Sequence, residues 1–172
     1  MSQAQHRLAA LVFGPDDDVD ALVAGFVADE SAKGRRIAGV RQAVGEIDQC
    51  DGAVEGVDIA TGRRFSLMQA LGPKAGACRV DPVAISEVSR ILDAALAQSP
   101  DLIVVNRFGK LEAEEKQGVV AEIGAAVAGG AAGLVAVPQR FLDAWNAFAG
   151  GVDAQLPCNR KALDDWWRSA QL

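Results

Sequence analysis

Residues 101–106, Asp-Leu-Ile-Val-Val-Asn, set the terms on which this chain can fold. Four consecutive large aliphatic residues give a strand no polar face, so both of its faces must be buried. Such a strand belongs inside a mostly parallel sheet with helices on both sides. Leu8 to Phe13 is a second run of this kind, and Leu134 to Val137 a third. Parallel neighbours need a long crossover, and the segments between these runs switch to helical spacing.

Val19, Leu22, Val23, Phe26 and Val27 predict a helix over 18–33, capped by an Asp of the 16–18 run and ended by Gly34. Arg36 to Val40 predicts a short strand. Val54, Val57, Ile59, Thr61-Gly62, Phe65 and Leu67 predict an inserted β-hairpin. Asp81-Pro82 is a helix start, and Ile85, Val88, Leu92 and Leu96 continue it. Val119, Val120, Ile123 and Val127 predict a further helix, as do Phe141, Leu142, Trp145 and Phe148. Leu163, Trp166 and Trp167 mark a last helix whose face covers either the core or a dimer seam. Residues 45–52, 71–79 and 107–116 read as loops. The expected architecture is a single α/β domain over residues 1–172: three layers, a mostly parallel central sheet and one inserted hairpin.

Composition narrows what such a domain does. Hydrophobic residues are 50% and charged residues 23%, which excludes a disordered chain. The net charge of -6 opposes generic binding to nucleic acid or to anionic membranes. A single His excludes His-rich metal sites, and no metal or organic cofactor is expected. The 3 cysteines, Cys50, Cys78 and Cys158, are widely spaced and fit neither a disulfide framework nor a zinc site. Gly14-Pro15 stops the first apolar run too early for a signal peptide or membrane insertion, so a cytoplasmic location is expected.

Ligands in open α/β sheets bind at the carboxyl ends of the strands. Collected there are Gly14 to Asp18, then Arg41 and Gln42, then Asn106, Arg107, Phe108, Gly109, Lys110 and Glu112. The segment carrying Cys78 and Arg79 leads into a helix N-terminus and is expected over the same edge. A phosphate-binding loop needs a glycine-rich turn with a Lys and a Ser or Thr. The turn here has Gly14 alone and three acids instead. Cys78 reads as a buried hydrophobe more readily than as a reactive thiol, and Arg63 and Arg64 read as solvated hairpin residues.

Residues 105–112, Val-Asn-Arg-Phe-Gly-Lys-Leu-Glu, resemble the second diagnostic motif of a small nucleoside-triphosphatase family with the P-loop fold. In that family the strand ends in Asp-Glu and continues Ile-Gly-Pro-Met-Glu. Gly109 and Glu112 match; Asn106 and Arg107 stand where the metal-binding Asp and the catalytic Glu belong. Together with Ile37 to Gln42, Gly76 to Asp81 and Phe148 to Gly151, the motif also resembles a proteobacterial family of unknown function. That family is often encoded near molybdate transport genes. The resemblance implies a P-loop NTPase-like fold, degenerate at both diagnostic motifs, and a link to molybdate.

The expected function is therefore non-catalytic binding of a small anion, with a molybdate-type oxyanion as the specific case. The expected ligand-binding residues are Arg41, Gln42, Cys78, Arg79, Asn106, Arg107, Lys110 and Glu112; none is assigned a catalytic role. Arginine suits this task because its rigid fork matches oxyanion geometry. The alternative for Arg107 is a structural bridge to Glu112 or Glu114. The alternative functions are a nucleoside triphosphatase or other hydrolase with a non-standard site, and a protein–protein interaction module. A second copy of the chain and a transport or cofactor-assembly protein are the partners left open.

Overall fold

A computed structural model of the protein describes residues 6–44, 54–70, 78–105 and 107–171. The loop expected over 45–52 with its Cys50, residues 71–77 of the loop expected over 71–79, and Asn106 lie outside the described residues. The elements in chain order begin β1 (Leu8–Phe13), α1 (Val19–Ala32), β2 (Ile37–Val44), β3 (Val54–Asp58), β4 (Arg64–Ser66), β5 (Met68–Ala70) and β6 (Cys78–Val80). There follow α2 (Pro82–Ala97), β7 (Leu102–Val105), α3 (Lys110–Glu115), α4 (Val120–Ala128), β8 (Ala132–Pro138), α5 (Leu142–Ala149), β9 (Asp153–Pro157) and α6 (Arg160–Ala170).

Seven strands form one sheet in the order β4-β3-β2-β7-β8-β1-β9. The five from β2 to β9 are parallel. The aliphatic run sits at the middle, as its sequence requires. Leu102 and Val104 pack on one face with α1 and α6, among Val23, Phe26, Leu163 and Trp167. Ile103 and Val105 pack on the other with α2, α4 and α5, among Val88, Leu92, Ile123 and Trp145.

The chain's local chemistry ends the elements where expected. The Asp18 carboxylate accepts from the Ala21 N–H at 3.0 Å and caps α1. Asp81 caps α2 through the Val83 N–H at 2.9 Å, with Pro82 at the first helical position. Trp166 and Trp167 lie in the core, so the dimer seam is not where they point. Trp166 donates its indole N–H to the His6 carbonyl at 2.9 Å, and Trp167 donates to buried Glu30 at 2.9 Å.

Four elements differ from the sequence expectations. The hairpin is the antiparallel edge of the main sheet, and pairing with β3 carries β2 on through Arg41 and Gln42. Residues 78 and 79, expected at the end of the 71–79 loop, fall in β6, which pairs with β5 in a small separate sheet. Residues 110–115, also expected in a loop, form α3. The strand β9 carries a single fully buried residue, Leu156, too weak a pattern to read as a strand.

One glycine limits how closely β2 approaches β7. Gly39 has φ +111°, and a Cβ there would lie 2.0 Å from the Val104 carbonyl oxygen. Neither the backbone angle nor the space admits a side chain. Gly39→Ala is expected to destabilise the protein by about 3 kcal/mol or more. Denaturant midpoints for wild type and variant measure this; a loss under about 1 kcal/mol would contradict the close approach.

Candidate functional site: an arginine edge beside the first helix

Arg107 follows the end of β7, and its neighbour fixes it in place. Phe108 is buried, donates its backbone N–H to the Ala136 carbonyl at 3.0 Å and packs edge-on against Trp145 at 5.2 Å. With Phe108 anchored in one layer, Arg107 extends over the other. Its guanidinium lies over the Phe13 ring at 4.8 Å. Its Nη2 donates to the carboxylate of Asp20, in the first turn of α1. The expected bridge to Glu112 or Glu114 is not what forms. The Asp20 partner lies 87 residues away in sequence, which is why spacing did not reveal it. The Arg107 Nε is buried and has no hydrogen-bond partner among the described residues.

Arg41 reaches the same place from β2. Asp20, Arg41, Gln42, Val105 and Arg107 line one small cavity of about 20 Å³, roughly the room one water needs. Opposite Arg41 across the hairpin stands Val57, and opposite Val57 stands Arg64. Directly opposed residues share a sheet face, so Arg41 and Arg64 are on one side. Arg64 also pairs with Glu55 at 3.2 Å. Burial lowers the Arg41 pKa, the neighbouring Arg64 charge lowers it further, and Asp20 opposes both. Arginine stays charged through such shifts. The edge therefore gathers three guanidiniums, with the carboxylates of Asp20 and Glu55 set among them.

The remaining expected residues lie elsewhere. Lys110 is exposed and stands 3.9 Å from Glu114. Glu112 is buried and holds the loop together. Its Oε2 accepts from the Gly109 N–H at 2.9 Å and its Oε1 from the Val119 N–H at 3.2 Å. The spacing Gly109-x-x-Glu112 is half of a capping box, a signal that was there to be read. The backbone of Cys78 and Arg79 lies in β6. Anion contacts by these two side chains, and by Asn106, fall outside the described residues.

The turn after β1 is closed on itself. The Gly14 N–H donates to the Asp17 carboxylate at 2.8 Å, and the Asp17 N–H to the Gly14 carbonyl at 3.2 Å. With Asp18 on Ala21, the N–H groups of Gly14, Asp17 and Ala21 are taken up within the chain, and two of them by carboxylates. The field here is negative: the Cys158 thiol is pushed up by burial and then by Asp17 and Asp18. Among the described residues no group of three or more metal-ligating side chains occurs, and no helix is long and apolar enough to cross a membrane.

The fold is three-layer α/β and P-loop NTPase-like. The solution structure of a human cancer-related nucleoside triphosphatase superposes with a TM-score of 0.65 and 13% identity, covering 94% of each chain. The crystal structure of THEP1 from Aquifex aeolicus gives 0.67 and 14%, covering 94% of this chain and 95% of that one. At such identities the likeness concerns the fold alone. The chain belongs to DUF2478, a family described as a protein of unknown function, which matches residues 8–166. It is 38% identical over 164 residues to the molybdenum import ATP-binding protein ModC 2 of Bradyrhizobium diazoefficiens. The match covers 95% of this chain and spans 18% of that relative's length.

Burial raises the Glu112 pKa above its ordinary 4.5, and the Glu122 charge adds to this, against the pull of the backbone N–H bonds. The folded protein then holds the proton more tightly than the unfolded chain. The resulting stability is present in full below pH 4.5 and is lost as pH rises through the folded value. Wild type should therefore lose stability relative to Glu112→Gln as pH rises from 4.5 towards neutrality. Urea midpoints across that range check it; a pH-independent difference contradicts it.

Proposed function

We propose that this domain binds a tetrahedral oxyanion of the molybdate type at the Arg41–Arg107 edge, as a non-catalytic accessory to a molybdenum importer. The observation that carries the reading is two arginines, one in β2 and one just beyond the end of β7, lining one cavity, with an anionic group already among them. The buried, unpaired Arg107 Nε supplies a further donor. Arg64 lies near enough for its charge to act on Arg41, although it also pairs with Glu55. The similarity to a protein named for molybdenum import supplies the choice of oxyanion. That protein's length leaves room for other domains, so an accessory role beside an ATP-binding unit suits the shared segment.

The triphosphatase reading draws on the fold of the structural neighbours. It is disfavoured by the acidic, self-satisfied turn after β1 and by Arg107 at the end of β7. Purified protein with Mg²⁺ should not turn over ATP or GTP. Turnover that vanishes in Arg107→Ala would replace the binding reading with a catalytic one.

Calorimetry with molybdate, tungstate, sulfate and phosphate tests the binding directly. Each charge-assisted bond from Arg contributes about 1.5–3 kcal/mol, so Arg107→Ala and Arg41→Ala should each weaken binding about tenfold or more. Absence of heat with every anion, or equal affinity in folded variants, would overturn the proposal.

A further inference from the structure

The Asp20 carboxylate stands where the anion of the proposed site would stand. It bonds Arg107 and lies close enough to Arg41 to oppose the loss of that residue's proton. It does this from the first turn of α1 without being the helix cap, since Asp18 already serves the Ala21 N–H. Its removal from Arg107 therefore leaves the helix start intact. The space beside it, about 20 Å³, holds a water and not a tetrahedral oxyanion. An oxyanion that takes the place of Asp20 on the Arg107 guanidinium must displace the carboxylate.

We infer that Asp20 is a specificity-determining residue: a built-in monoanionic competitor that reserves the Arg41–Arg107 site for dianions. The inference rests on the oxyanion-binding reading above. A tethered carboxylate competes at a high effective concentration, because it never diffuses away. A free monoanion that displaces it exchanges one negative charge for another and gains little. A dianion brings a second charge and engages Arg41 and Arg107 together, which repays the lost ion pair. The partial exposure of the pair, 25% for the Arg107 side chain and 29% for Asp20, keeps the barrier to exchange low. The Phe13 ring under the guanidinium holds Arg107 in place while its partner changes.

Tungstate and perrhenate separate the two terms, since they share a tetrahedral shape and differ by one charge. Calorimetry should show wild type binding tungstate and giving no heat with perrhenate at neutral pH. In Asp20→Asn the competitor is neutral and its volume is kept. Tungstate should then bind about tenfold tighter, and perrhenate binding should become measurable. Asp20→Ser serves as the second variant, with circular dichroism confirming that each is folded. Equal affinities in wild type and folded variants, with tungstate bound by all, would overturn the role of Asp20 and leave the oxyanion site standing. If no form binds either anion, the site reading fails and this inference fails with it.

Discussion

A strand without a polar face has to be covered twice, and the placement of everything else follows from that. Leu102 to Val105 alternate between two packed layers, α1 with α6 on one side and α2, α4 and α5 on the other. Parallel neighbours on each side complete the strand's hydrogen bonds. The strand β7 ends at buried Val105. The first described side chain beyond it is Arg107, delivered between Phe13 of β1 and Asp20 of α1. The next, Phe108, is pulled back into the core.

Charge placement explains why this edge differs from the phosphate-binding edge that the fold supports elsewhere. A phosphate loop presents free amide N–H groups at the start of the first helix. Here Asp17 and Asp18 accept from the Gly14 and Ala21 N–H groups, so negative charge at this turn is covalently part of the chain. The positive charge lies instead on β2, β4 and the end of β7, as Arg41, Arg64 and Arg107. The first-turn residue Asp20 joins the two regions. In the proposed account, the anion site lies on the sheet edge beside that turn, and Asp20 of α1 occupies it.

Much of this architecture is legible in the sequence. The buried strands β1, β7 and β8 announce themselves as aliphatic runs, and α1, α2, α4 and α6 by spacing and caps. What was not legible depends on partners distant in the chain. Gln155 is exposed and Leu156 alone is fully buried in β9, so that strand exists because β1 offers it an edge. The helix α3 has few apolar residues and is held by the buried Glu112 cap. Arg41 was expected just past a strand; pairing with the hairpin keeps it inside one and aims it at the common cavity. Arg107 was singled out by its place at the end of a buried strand, whereas its Asp20 partner looked like an ordinary acid at a helix start, favoured there by the helix dipole. Ion pairs between distant residues leave no periodic trace.

The central claim is a location as much as an affinity, so a crystal soaked in tungstate, measured at the tungsten absorption edge, tests it most directly. The account predicts one strong anomalous peak between the Arg41 and Arg107 guanidiniums, with the Asp20 carboxylate turned away from Arg107. A peak at the turn formed by residues 14–18, or none at the arginine edge with the Arg107–Asp20 pair intact, would contradict it.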